Sequence, residues 1–302
     1  MRKAALTIIL VLVLSLGFQS ATKRNPRTGL RMWMLNVGQG ASVLIQTPSN
    51  HYLLFDGGPG SNVLSELGEV LPVWQRTLDA VALSHPHADH IRGLIAVLGR
   101  YEVGEVWTSG SSYKSGDYTE WVQVIKQKQI ATKNVASPDT MTLGELSVRV
   151  IHPPKPVVGK IFTETHDGTL SLLLSYSLRS IILAGDVDQK HEASMVSSCK
   201  PPACNLDSDI LQVAHHGSAS GTSSAFLKAT TPLLALIPVG EGNKFKHPRA
   251  EVLERLAQAN ATVFRTDQDG RILVVVTNDS LEVTSTTGKR ATLAQTPQPA
   301  PT

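Results

Sequence analysis

The stretch LDAVALSHPHADH, residues 78–90, carries more chemistry than any other part of this chain. An apolar run from Leu78 to Leu83 has the length of a buried strand, and residues 91–100 behind it have helical character. Between them His85, His87, Asp89 and His90 place four potential metal ligands within six positions. Packing does not explain that density. Neutral imidazoles and a carboxylate suit zinc and similar divalent ions. Alternation in an extended loop puts His85 and His87 on one side, which leaves Asp89 and His90 to face a second position at the helix start.

The same form recurs outward from that stretch. Short apolar runs end in polar or glycine residues in HYLLFDGG (51–58), RSIILAGD (179–186), DILQVAHHGS (209–218) and PLLALIPVG (232–240). Helices are predicted at about 91–100, 119–130 and 249–259, and the interleaving argues an α/β fold. If the strands are neighbours, Asp56, the histidine cluster, Asp186 and the His215–His216 pair converge on the loops at their ends.

Asp186 closes a strand that would otherwise bury an uncompensated carboxylate, which a bridging cation explains; a helix cap is the competing reading. Of His215 and His216, one is expected to ligate and the other to support. His166, just before the apolar run LSLLLSY, is the candidate remaining nitrogen of the first metal position. The loop Asn243-Lys244-Phe245-Lys246-His247 is expected to meet an anionic substrate group without holding metal, with His247 acting on substrate. An ordinary surface loop with incidental lysines is its alternative. His51, His152 and His191 belong to no pattern.

A 302-residue chain with 41% hydrophobic and 18% charged residues is globular and long enough for a sizeable core. One domain over residues 28–288 is expected, with a disordered Pro-rich tail over 289–302. A net charge of +3 neither marks nor excludes a partner rich in phosphate. At the start, Arg2 and Lys3 precede an apolar run from Ala4 to Phe18, so residues 1–22 read as a signal peptide or membrane anchor. The protein is accordingly expected to be exported, as a periplasmic, extracellular or membrane-tethered species. Cys199 and Cys204 could close a small loop in such a compartment, free thiols being the alternative.

Taken together, NVGQGASVLI (36–45), LLFDGG, LSHPHADHIRGL, LAGDVD, VAHHGS and NKFKHP make the chain resemble the metallo-β-lactamase superfamily over residues 31–272. Within it the chain is similar to the subfamily that includes the hydrolase domain of ComEC-type competence proteins. The resemblance implies an αββα sandwich with two divalent metal ions, zinc or manganese, at one edge. His85, His87 and His166 would hold one ion and Asp89, His90 and His216 the other, with Asp186 bridging and Asp56 and His215 in support. Asp89, Asp186 and His247 would be catalytic, and Asn243, Lys244 and His247 would bind substrate. Two positions depart from the subfamily pattern: Ala41 stands where an acidic residue is expected, and His166 where Asn is more usual. The implied function is a phosphodiesterase or nuclease acting on DNA or another anionic phosphodiester outside the cytoplasm. The alternatives are a hydrolase of small esters, thioesters or lactams, and a non-catalytic envelope binding module.

Overall fold

A computed structural model describes residues 29–294. The expected signal or anchor segment and the end of the tail lie outside the described residues. The first half of the chain builds β1 (Leu30–Met34), β2 (Val43–Gln46) and β3 (Tyr52–Phe55) as an antiparallel meander. It continues through α1 (Asn62–Val70), β4 (Thr77–Leu83), α2 (Ala88–Arg100), β5 (Glu102–Thr108), α3 (Gly116–Lys128) and β6 (Ala131–Asn134), in which β3 to β6 run parallel.

A second sheet begins with the antiparallel strands β7 (Thr140–Leu143), β8 (Leu146–His152), β9 (Ser171–Tyr176) and β10 (Arg179–Leu183). Parallel strands then follow with helices between them: α4 (Gln189–Ser198), β11 (Ile210–Gln212), α5 (Ser224–Thr230), β12 (Leu234–Ile237), α6 (Ala250–Gln258) and β13 (Thr262–Arg265). After the short α7 (Thr266–Asp269) the chain crosses back, and β14 (Ile272–Val276), β15 (Ser280–Ser285) and β16 (Arg290–Ala294) extend the first sheet beside β1. Among the described residues the sheets thus contain nine and seven strands.

Three apolar clusters define the layers. Met32, Ile45, Phe55 and Trp107 of the first sheet meet Leu146, Leu172, Leu183 and Leu236 of the second in a core between them. Leu44, Leu54 and Val81, pointing the other way from their strands, pack against Ile91, Leu94 and Leu98 of α2. Ile182, Leu211 and Ile237 do the same for Met195, Phe226 and Leu256 on the opposite face. This is the expected αββα sandwich.

Helix α2 starts at Ala88, three residues before its expected beginning, so Asp89 and His90 lie in its first turn. An acidic residue there is favoured by the helix dipole. The helix lies so close to the loop after β3 that a Cβ on Gly93 would come within 1.7 Å of the Gly57 carbonyl oxygen. Only glycine permits that approach.

The tail needs one correction. Strand β16 forms from Arg290 to Ala294, inside the segment assigned to disorder, and pairs with β15. Ala291 and Leu293 alternate toward the inter-sheet core, a period of two that polar composition concealed. Cys199 and Cys204 are disulfide-bonded just after α4.

Candidate metal centre

Loops after β4, β10 and β11 bring the polar groups together at the edge shared by both sheets. His85 and His87 follow β4, and Asp89 and His90 open α2. His166 lies on a 3₁₀ turn, Thr165–Gly168, between β8 and β9, Asp186 follows β10, and His215 and His216 follow β11. The two histidines of the last pair both adopt left-handed backbone conformations, with φ of 49° and 56°. That turn brings consecutive rings to the same site.

Two ligand-like groups result. The coordinating atoms of His85, His87 and His166 lie within 4.8 Å of one another, and those of Asp89, His90, Asp186 and His216 form a second such group. His85 Nε2 is 3.0 Å from His87 Nδ1. Asp186 Oδ2 is 3.4 Å from His90 Nε2, 3.6 Å from His216 Nε2 and 3.9 Å from His85 Nε2. Asp186 therefore adjoins both groups, as a bridging ligand must. His216 Nε2 is also 3.2 Å from Asp89 Oδ2.

The supporting contacts orient these atoms. The Asp56 carboxylate accepts the Ser84 backbone N–H and lies 2.8 Å from His90 Nδ1. His216 Nδ1 is 2.7 Å from the Pro238 carbonyl oxygen, to which it donates. Each imidazole thereby turns its Nε2 inward, the arrangement that neighbouring acceptors impose on metal-binding histidines. His90 Nε2, His216 Nε2 and Asp186 Oδ1 are buried and have no hydrogen-bond partner among the described residues. Orphaned buried polar atoms are costly, and a cation between them satisfies all three.

Electrostatics divides the groups. Burial holds the pKa of His85 well below its ordinary value, with neighbouring His90 adding to the effect, and burial also lowers His87 and His166. Those three are neutral nitrogen donors. Burial opposes charge on His90 and His216 too, but Asp186 and Asp89 together outweigh it at both, with Asp56 adding at His90, so their pKa values are raised. Burial likewise works against the Asp186 carboxylate, yet His90 and His216 hold its pKa well below the ordinary carboxylate range. The second group therefore attracts positive charge. Both donor sets fit divalent ions.

Two expectations change. His215, assigned to support, faces the site: its Nε2 is 3.8 Å from Asp186 Oδ2, and it forms a third group with His166 and Asp186. Its left-handed backbone turns the ring inward rather than behind His216. Asn243, assigned to substrate, braces its own loop instead. Its amide donates to the Gly240 and His247 carbonyls and accepts the His247 N–H. Lys244 and His247 remain at the rim. His247 belongs to none of the ligand groups, and its ring centroid is 5.8 Å from that of His215. Burial, with His215 and His216 nearby, lowers its pKa to about 4.

The sequence reading missed three contributors. Ser84, fully buried, places its hydroxyl 3.0 Å from His85 Nδ1. Tyr113 sets its ring edge-on to His87 with centroids 5.4 Å apart. Asp167, beside His166, meets His191 Nε2 at 3.0 Å and Lys190 Nζ at 2.6 Å, anchoring the 3₁₀ turn to α4. Only Ser84, adjacent to the cluster, carried a signal in sequence.

The chain is 27% identical over 256 residues to ComE operon protein 3 of Bacillus subtilis, an alignment spanning 79% of this chain and 32% of that protein. It is 26% identical to competence protein ComA of Neisseria gonorrhoeae, spanning 82% of this chain and 32% of the relative. The chain thus covers about a third of the length of these curated relatives. Among solved structures, Tm1679, described as a metal-dependent hydrolase of the β-lactamase superfamily, superposes with a TM-score of 0.54 at 13% identity, covering 82% of this chain and all of that one. Residues 35–241 match the Metallo-beta-lactamase superfamily as a whole, a span that takes in the HPHADH loop, His166, Asp186 and the His215–His216 turn. With more than half of its length matched in this way, the chain belongs to the metallo-β-lactamase superfamily.

Proposed function

We propose that this protein is an exported metal-dependent hydrolase that cleaves phosphodiesters. The observation that carries the reading is Asp186, whose carboxylate adjoins both a neutral imidazole triad and a second, carboxylate-containing group. His85, His87 and His166 would hold one divalent ion, Asp89, His90 and His216 the other, and Asp186 would reach both. Such a pair of ions, when bound, activates water and stabilises charge on attacked and leaving oxygens.

The rim favours an anionic substrate. Lys244 and Lys246 are exposed and make no ion pair among the described residues. His247, with its pKa near 4, is neutral at neutral pH and offers an N–H to a phosphoryl oxygen without carrying charge of its own. The similarity to competence proteins supports a nucleic-acid phosphodiester. Export rests on the basic and apolar residues 1–22 and is consistent with the bonded Cys199 and Cys204.

The test is turnover by the metal-loaded protein of bis-p-nitrophenyl phosphate against nitrocefin. Hydrolysis of the phosphodiester alone is expected. Hydrolysis of nitrocefin alone would replace this reading with a lactam-cleaving one, and loss of both with metal bound would leave a binding module. Export is checked by fractionating native cells, where recovery in the cytosol would remove it.

A further inference from the structure

Two aromatic side chains stand at opposite ends of a row of imidazoles across the site. From Tyr113 the row passes to His87 at a centroid distance of 5.4 Å, to His166 at 5.2 Å, to His215 at 4.6 Å and to His247 at 5.8 Å. Phe245 closes it, stacked on His247 at 5.8 Å with an interplanar angle of 27°. Half of the Phe245 surface is open to solvent. A large apolar ring stacked on His247 beside the ligand groups, and half open to solvent, offers a stacking surface.

Cations flank both rings. Lys244 and Lys246 bracket Phe245, with the Lys244 ammonium 5.2 Å from its centroid, and exposed Lys114 follows Tyr113. None of the three lysines makes an ion pair among the described residues. Alternating aromatic faces and unpaired cations match a single nucleic-acid strand, whose bases stack on rings while its phosphates meet positive charge. A duplex hides its base faces in its own stack.

We propose that the substrate is a single-stranded nucleic acid whose bases on either side of the reacting phosphodiester stack on Phe245 and Tyr113. This rests on the phosphodiesterase reading above and adds the strand state and the two base platforms. Neither residue is a metal ligand.

The test is fluorescence anisotropy of the metal-loaded full chain with a labelled single strand carrying a slowly cleaved phosphorothioate backbone. Its abasic counterpart and its duplex are measured at the same salt concentration. Replacing Phe245 by Ala or Leu, or Tyr113 by Ala, should weaken single-strand binding by about tenfold, while Phe245→Trp retains it. The abasic strand should bind the wild-type protein about tenfold more weakly and be insensitive to Phe245→Ala. Equal binding of the abasic and base-bearing strands, of duplex and single strand, or of Phe245→Leu and wild type would overturn the proposal, as would no binding at all. Metal content and circular dichroism of each variant separate misfolding from lost stacking. Failure of the underlying function shows separately, as absent bis-p-nitrophenyl phosphate turnover by the wild-type sample.

Discussion

Asp56 Oδ2 lies 2.8 Å from His90 Nδ1, with both side chains fully buried. The carboxylate fixes which nitrogen carries the proton, so Nε2 is the one presented to Asp186. In Asp56→Asn the amide can still accept one bond but must turn its NH₂ toward either the Ser84 N–H or His90 Nδ1. Affinity of the second metal position should then fall about 10- to 100-fold, measured by chelator competition. Unchanged affinity would show that His90 needs no such support.

Elemental analysis should approach two metals per chain, since two donor groups share Asp186. A His85→Ala, His87→Ala double variant should lose one of them, because the first group keeps only His166. If wild type and double variant bind equal amounts, the first position is wrongly assigned. Asp186→Asn should lower occupancy of both positions.

His247→Ala should slow phosphodiester turnover by about 10²-fold, the scale for losing one donor to the transition state. Metal stoichiometry should not change. Loss of an ion in that variant would instead make His247 a ligand.

His152 supplies a pH dependence of stability. Its burial lowers its pKa to about 4, with His191 adding, although Nδ1 donates to the Thr169 carbonyl. An unfolded histidine titrates near 6.5. Between those values the unfolded chain takes up a proton that the folded chain refuses. Stability is therefore full above about pH 6.5 and falls as pH drops toward 4, by about 3 kcal/mol in all. His152→Asn should lose less in Tm than wild type between about pH 7 and pH 5; equal losses would place the titration elsewhere.

Gly93→Ala should destabilise by more than about 2 kcal/mol in urea unfolding, because a methyl group would strike the Gly57 carbonyl and push α2 from its sheet. A cost under about 1 kcal/mol would mean that the helix moves freely.

What was legible in sequence follows from range. The strands before Asp56, His85, Asp186 and His215 were visible because buried parallel strands are continuous apolar runs, and the HPHADH loop was visible because its ligands are adjacent. Strands β7, β8 and β14 to β16 were not, since half-exposed strands such as β16 alternate small, polar and apolar residues whose meaning depends on a partner. The inward turn of His215 depends on a backbone conformation unusual for histidine, and the bracing by Asn243 on a loop closing upon itself. Neither has a local signature. The Asp167–His191 contact joins residues from a turn and a helix 24 positions apart, and no spacing rule anticipates it.

The ligands are divided between the two halves of the sandwich: His85, His87, Asp89 and His90 hang from the first sheet, whereas Asp186, His215 and His216 hang from the second. Bound ions would therefore act as rivets across the seam between the sheets, at an edge where the apolar filling gives way to polar groups. Chelation should loosen that seam first, so that amides near β4 and β10 gain hydrogen exchange while the far ends of the same strands stay protected. Neither half of the chain, expressed alone, contains a complete second position, but two co-expressed halves divided near Ser137 would each bring their share, and metal would become the glue of their reassembly.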